Sequence, residues 1–207
     1  MAGDERQARL DAAFGAVCRS VHCTEARRRT LEDVIELAVE LAREGREGRK
    51  IGTLFVVGDV ENVLAQSRPL VLDPLYGHPS ETLHVERPEL RETIKEFAQL
   101  DGAFVLSDDG TFVSAGRFID VDVSHPENFL PGLGTRHAAA ASVSRTTTAI
   151  AVAVSQSSVV RVFSAGSLRA EIIPELFLMS RQRLLTPTPE IRQVPDAGIT
   201  LAVAADR

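Results

Sequence analysis

The sequence predicts an α/β fold in which a mixed, partly antiparallel central sheet is flanked by helices, with a helical appendage at the N-terminus. Three observations predict it. Strand and helix patterns follow one another in mixed order, with about five or six strands and four or five helices. An Asp-Gly pair between two apolar runs indicates an antiparallel hairpin. The 207 residues, 44% hydrophobic and 25% charged, are enough for a globular core.

The first fifty residues are expected to form two helices. The second of them has apolar residues at helical spacing, namely Leu31, Val34, Ile35, Ala38, Leu41 and Ala42. Thr30 is predicted to cap this helix at its N-terminus. Arg43, Arg46 and Arg49 are interpreted as its solvated C-terminal end.

After residue 50 the pattern changes to short apolar runs. The expected strands cover 54–57, 103–106, 112–116, 148–155 and 159–163. The expected helices cover 60–66, 87–100, 134–141 and 175–183. Asp108, Asp109 and Gly110 are interpreted as a hairpin turn and not as an acid–base pair. We therefore predict a helical appendage over 1–50, a main domain over 51–170, and a C-terminal helix and tail over 171–207.

Composition narrows the function classes. The net charge is −6 and no segment is a basic block, so no DNA partner is expected. The longest apolar run, 149–154, is far shorter than the about 20 residues of a membrane-spanning helix. No apolar segment follows Met1 as in a secretory signal, and two cysteines cannot form a disulfide scaffold. A cytoplasmic protein without a membrane partner is expected.

The sequence lacks the two common nucleotide-binding fingerprints. The chain has no Gly-Lys dipeptide, which excludes a Walker-type P-loop. The segment from Gly132 to His137 begins like a dinucleotide fingerprint. It has histidine in place of the third glycine, however, and no strand directly before it, so a Rossmann domain is rejected.

The same segment has the groups that a polyphosphate needs. Gly134 precedes the predicted helix, whose first N–H groups have no partner within the helix. Thr135 adds a hydroxyl, Arg136 a charged planar fork and His137 a ring nitrogen. The alternative is a threonine-capped helix with a surface arginine, and this segment alone does not decide between the two.

A second candidate is Asp101-Gly102-Ala103, directly before a predicted strand. Here a carboxylate could face a cation while the glycine lets the backbone approach a sugar. Taken alone, the segment is equally a common turn.

The two motifs in this order, followed by the strand that ends at Ser155, resemble the diadenylate cyclase (DAC) domain of the DisA N-terminal type. The family pattern is a DGA motif, a GTRHR motif and a strand ending in Ser-Glu. The resemblance covers roughly 51–168. It implies a DAC-like mixed sheet and the condensation of two ATP into cyclic di-AMP and two pyrophosphates.

The resemblance also implies roles for individual residues. Asp101 would ligate a divalent cation, Mn²⁺ or Mg²⁺, and help to activate the ribose 3′-hydroxyl. The catalytic set would be Asp101, Arg136 and His137, and the substrate-binding set Gly102, Ala103, Gly134, Thr135, Arg136, His137, Ser155 and Gln156. Each domain would bind one ATP, so a homodimer or higher homo-oligomer is expected, with the two sites face to face.

The chain departs from the family pattern at four positions. Ala138 stands where many members have arginine, and Gln156 where a glutamate is usual. Arg145 and Thr148 replace common acidic residues. In having an alanine at this position, the chain resembles the archaeal-type branch of the family. Because of these departures, an alternative function stays open, that of a catalytically silent module that binds ATP or cyclic di-AMP. A further possibility is that the N-terminal helices regulate assembly.

Overall fold

The computed structural model describes residues 15, 17–21, 23–70, 72–121, 134–174, 190–194 and 199–203. The helix predicted over 175–183 lies outside them. The helices are α1 (Glu25–Glu44), α2 (Val60–Ala65), α3 (Pro88–Phe97) and α4 (Thr135–Thr146), with a 3₁₀ turn at Ser80–Thr82. The strands are β1 (Thr53–Val57), β2 (Ser67–Pro69), β3 (Ala103–Leu106), β4 (Phe112–Ile119), β5 (Ile150–Val154), β6 (Val160–Ser164), β7 (Ser167–Ile173), β8 (Glu190–Val194) and β9 (Ile199–Val203).

All nine strands form one sheet in the order β2-β4-β3-β1-β5-β6-β7-β9-β8. Among the described strands, β1 and β3 pair in parallel and every other neighbouring pair is antiparallel. The predicted mixed, partly antiparallel sheet with flanking helices is confirmed. The expected number of strands was too low, because β2, β7, β8 and β9 were not predicted. Strands β8 and β9 come from a proline-rich tail and become strands by pairing next to β7.

The two faces of the sheet are covered by different kinds of side chain. On one face, aromatic and branched residues such as Phe55 and Phe104 pack against α1 and α3. On the other face, Ala151 and Ala153 lie in one cluster with the alanines of α4. Small side chains on both surfaces let a helix lie close to a sheet. The alanine-rich sequence of α4 is thus explained by where the helix packs.

Helix α1 begins earlier than predicted. Its N-cap is Thr24, whose side chain accepts a hydrogen bond from the N–H of Arg27. Thr30, the predicted cap, lies inside the helix and donates to the carbonyl of Asp108 at 2.8 Å. Arg46, expected in solvent, forms an ion pair with Glu92 at 2.9 Å. The cap prediction was wrong because the apolar periodicity starts at Leu31, six residues after the helix itself begins at Glu25.

Helix α1 belongs to the main core. Nine of its residues are buried, Thr30, Leu31, Val34, Ile35, Leu37, Ala38, Val39, Leu41 and Ala42. Six of them are fully covered, with no exposed surface, and they share one cluster with β1, β5 and β6. The opposite side of α1 is charged, and within the described part of the chain no helix has the length and apolarity that crossing a bilayer requires.

Removal of residues 1–48 is expected to abolish cooperative folding, because the deletion uncovers the apolar face of the sheet that α1 covers. Circular dichroism melting and binding of a hydrophobic dye would test this. A truncated chain that melts cooperatively near the temperature of the full chain would contradict it and would support the predicted helical appendage over 1–50.

Candidate active site

The predicted motifs lie together at one edge of the sheet. Because β1 and β3 are parallel, with Leu54 opposite Ala103, both strands begin at the same edge. Strand β5 runs the other way, with Val154 opposite Thr53, so it ends there. The residues just before β1 and β3 and just after β5 are therefore neighbours, although they are far apart in sequence.

Helix α4 begins above this edge and closes a cavity over it. The cavity is lined by Leu54, Leu70, Asp101, Gly102, Ala103, Arg117, Phe118, Ile119, Val121, Thr135, Arg136 and Ala139. It thus brings together both predicted motifs, the Asp-Gly-Ala segment and the Thr-Arg pair. The guanidinium of Arg136 lies 3.3 Å from the carboxylate of Asp101, across 35 residues of sequence.

The carboxylate of Asp101 is open to solvent. Its side chain is 81% exposed, and its Oδ1 atom accepts a hydrogen bond from the N–H of Gly102 at 3.0 Å. The ion pair with Arg136 is weak at such exposure. Each of the two charged groups can therefore replace this contact by a contact with a ligand at little cost in free energy.

Gly52, which sequence reasoning missed, makes room for Arg136. A side chain at this position would put its Cβ 3.0 Å from Nη1 of Arg136 and 3.2 Å from Cγ of Gln156. Gln156 therefore lies beside the arginine, outside the cavity lining. The glycine before β1 was visible in the sequence, but only the sheet register shows that it faces another motif.

Ser155 and Gly134 also lie outside the lining residues. The Ser155 hydroxyl accepts a hydrogen bond from the N–H of Ser157 at 3.1 Å and so stabilises the turn after β5. Gly134 is the N-cap of α4, and its carbonyl accepts from the N–H of His137 at 3.0 Å. Direct contacts of these residues with substrate stay predictions.

The structure places the His137 ring beside Arg161 and Phe163 on β6. The ring is buried, is absent from the cavity lining, and has Nε2 3.1 Å from Nη1 of Arg161. An arginine can only donate, so Nε2 accepts. Burial first, and then the charge of Arg161, lowers the pKa of His137 to about 4. His137 is a neutral anchor for the helix at physiological pH, and its contact with phosphate stays a prediction.

Gly102 has a local reason to be glycine. Its φ is +102°, and a Cβ there would lie 2.6 Å from the carbonyl carbon of Gly116 on β4. The predicted closeness to a nucleoside is compatible with its place in the cavity wall. The requirement for glycine, however, already follows from the close approach of two backbone segments.

The apolar half of the cavity was not predicted. It consists of Leu54, Leu70, Phe118, Ile119, Val121 and Ala139. Phe118 is 43% exposed, and the guanidinium of Arg68 lies 4.6 Å from its ring centre. An aromatic residue two positions after the second strand (112–116) of the predicted hairpin is the signal that could have identified this wall. Apolar walls with a few polar groups are typical of small-molecule sites.

The donors present suit a cation that arrives with a nucleotide. Among the described residues, no group of three or more histidine, cysteine, aspartate or glutamate side chains could hold a metal. Asp101 offers one exposed carboxylate. Mg²⁺ at nucleotide sites commonly takes one or two carboxylates, with phosphate oxygens and waters as its other ligands. The residues fit this arrangement and not a closed all-protein metal site.

Comparison with known proteins then decides the family. Residues 40–168 match the family model described as DisA bacterial checkpoint controller nucleotide-binding, the DAC domain. The chain belongs to this family. The predicted resemblance is thereby confirmed, and the match begins at residue 40, within α1 and eleven residues before the predicted start of the main domain.

Two archaeal relatives and one solved structure resemble this DAC chain. It is 48% identical over 153 residues to a diadenylate cyclase of Methanocaldococcus jannaschii, covering 72% of this chain and 47% of the relative. It is 40% identical over 149 residues to a diadenylate cyclase of Haloferax volcanii, covering 71% and 54%. The chain spans about half the length of these curated relatives. A double mutant of DacA from Staphylococcus aureus is 21% identical with a TM-score of 0.45, covering 70% of this chain and 88% of that one.

Gly102→Ala is expected to destabilise the DAC chain by at least about 2 kcal/mol, because it combines a positive φ with a backbone clash. Urea unfolding followed by circular dichroism would measure this. Gly134→Ala is the matched control, since no described atom lies within 4 Å of its Cβ position and its φ is −76°. Equal stabilities of the two variants would contradict the explanation.

His137 is expected to make the protein less stable in acid. Its folded pKa of about 4 lies below the unfolded value, so the unfolded chain binds more protons between the two values. Stability is therefore lost as the pH falls from about 6.5 to about 4, by up to roughly 3 kcal/mol. His137→Gln keeps an acceptor for Arg161 and should lose less stability between pH 7 and 4.5. The idea fails if both proteins show the same loss, or if the NMR titration of His137 has its midpoint near 6.5.

Proposed function

We propose that this protein condenses two ATP into cyclic di-AMP and two pyrophosphates. Membership of the DAC family and the two archaeal relatives named diadenylate cyclase support this. The observation that carries the proposal is the cavity in which Asp101 and Arg136 face each other at 3.3 Å beside an apolar wall. Such a cavity offers a base-sized apolar surface and a charged end to one ligand.

The charged end suits a polyphosphate. Thr135 and Arg136 lie in the first turn of α4, where N–H groups without helical partners favour an anion. Arg136 can leave Asp101 and donate to phosphate oxygens, because its present ion pair is exposed. The apolar wall with Leu54 and Phe118 would take the nucleobase. These assignments make Asp101, Gly102, Ala103, Thr135 and Arg136 the proposed substrate contacts.

The chemistry is a pair of nucleotidyl transfers. Each ribose 3′-oxygen forms a bond to the α-phosphorus of the other ATP, the bond from that phosphorus to the bridging oxygen breaks, and pyrophosphate leaves. The proton of each 3′-hydroxyl is released in the same step. A divalent cation bound through Asp101, Mn²⁺ or Mg²⁺, would neutralise phosphate charge and lower the pKa of the 3′-hydroxyl. The residues of the chain supply positioning and charge.

Two sites must meet for this reaction. The described part of the chain forms one cavity with both motifs, and each product molecule needs two ATP. Because Asp101 is 81% exposed, its carboxylate can reach a second nucleotide held by a facing copy of the chain. We therefore propose a homodimer or higher homo-oligomer with the cavities face to face.

Asp101→Asn is expected to lower the rate of cyclic di-AMP formation at least about a hundredfold, because it removes the carboxylate that would hold the cation. The fold should be unchanged, since the side chain is exposed. Purified protein is incubated with ATP and Mn²⁺ or Mg²⁺, and the product is quantified by chromatography and mass spectrometry. Asp109→Asn is the matched control, because it is also an aspartate before glycine, in a turn outside the cavity.

The outcomes separate the two candidate functions. Product formation by the wild-type chain and by Asp109→Asn, but not by Asp101→Asn, supports the cyclase. Tight binding of ATP or cyclic di-AMP by the wild-type chain without turnover would identify the silent binding module, consistent with Gln156 and Ala138 in place of the usual residues. Normal turnover by Asp101→Asn would overturn the proposed role of this carboxylate.

A further inference from the structure

The first turn of α4 lacks a side-chain cap. Its N-cap is Gly134, and no side-chain hydrogen bond caps the helix among the described residues. Of residues 135–138, His137 alone is buried. Its ring nitrogen lies 3.1 Å from Arg161. The turn that carries Thr135 and Arg136 to the cavity is therefore anchored to the sheet through His137.

Arg161 is itself held by a buried carboxylate. Arg161 on β6 and Glu171 on β7 are directly opposite each other, and Nε of the arginine lies 2.5 Å from Oε1 of the glutamate. Their side chains are 11% and 6% exposed. The guanidinium uses Nε for Glu171 and Nη1 for His137. Because the guanidinium is planar and always charged, these two contacts determine its orientation.

This buried pair lies level with the cavity. Arg161 is opposite Ala153 on β5, Ala153 is opposite Leu54 on β1, and Leu54 is opposite Ala103 on β3. Leu54 and Ala103 line the cavity. These four residues therefore form a row across the sheet, from the cavity wall to Arg161. Helix α4 packs over the centre of this row.

We propose that Arg161 and Glu171 are positioning residues for the nucleotide: their pair fixes His137, and His137 fixes the first turn of α4 so that Thr135 and Arg136 face Asp101. This inference rests on the proposed function. Neither residue lines the cavity, so neither is offered as a catalytic group. Their effect on the ligand would pass through the position of one helical turn.

A buried ion pair invites the simpler explanation that it only stabilises the fold. The two explanations differ in what an apolar replacement does. Removing one partner leaves a buried charge unpaired and destabilises, whereas replacing both by apolar residues of similar size is often neutral or stabilising. A double variant, Arg161→Met with Glu171→Met, should therefore fold, yet it lacks the donor that holds His137.

The experiment uses the full 207-residue chain and α,β-methylene ATP with Mg²⁺ as the probe. Isothermal titration calorimetry measures the Kd of the analogue, and differential scanning calorimetry measures the melting temperature of the protein. Both are applied to wild type, the double variant, and a control with Arg91→Met and Glu36→Met. The control removes another partly buried ion pair, at 3.0 Å, between α1 and α3 on the opposite face of the sheet. Hydrogen exchange by mass spectrometry reports the amides of 135–138.

We expect the double variant to melt near the wild-type temperature, to bind the analogue about tenfold more weakly or worse, and to exchange the amides of 135–138 faster. The control should keep the wild-type Kd. An unchanged Kd in a folded double variant overturns the inference while the proposed function stands. Loss of folding in the double variant overturns it too, since the pair would then be structural. A wild-type chain that does not bind the analogue overturns the proposed function, and with it this inference.

Discussion

The parallel pairing of β1 with β3 is the constraint on which the site depends. It makes two strands begin at the same edge, and the antiparallel β5 between β1 and β6 then ends at that edge. A parallel pair needs a crossover connection, and here the chain between β1 and β3 supplies α2 and α3, one for each face of the sheet. The same pairing thus produces the layered core and the meeting point of the polar motifs.

The two faces of the sheet serve different purposes. Branched and aromatic side chains on the face of α1 give the large, dry contact area that holds the sheet together. Alanines on the face of α4 give close packing and leave the N-terminal end of that helix at the edge where β1 and β3 begin. His137 in the first turn accepts a hydrogen bond from Arg161, and this is the contact proposed to set the position of that turn.

Exposure distinguishes the two kinds of charged group near the site. Asp101 and Arg136 are 81% and 35% exposed and form a loose pair, as expected for groups that exchange partners with a ligand. Arg161 and Glu171 are 11% and 6% exposed and form a short pair, as expected for groups that keep their partners. His137, which its lowered pKa keeps neutral, connects the first turn of α4 to the pair of Arg161 and Glu171.

The sequence by itself determined the fold class, the hairpin around Asp109, most strands of the central sheet and the two motifs, because period, turn residues and short motifs are local properties. It did not determine strands β8 and β9, the apolar wall around Phe118 or the burial of His137. Nor did it show that Gly52 leaves room for the side chain of Arg136. These depend on which strands become neighbours and in which register. Contacts between residues 35 or more positions apart are decided by chain packing, since local preference contains no information on the partner.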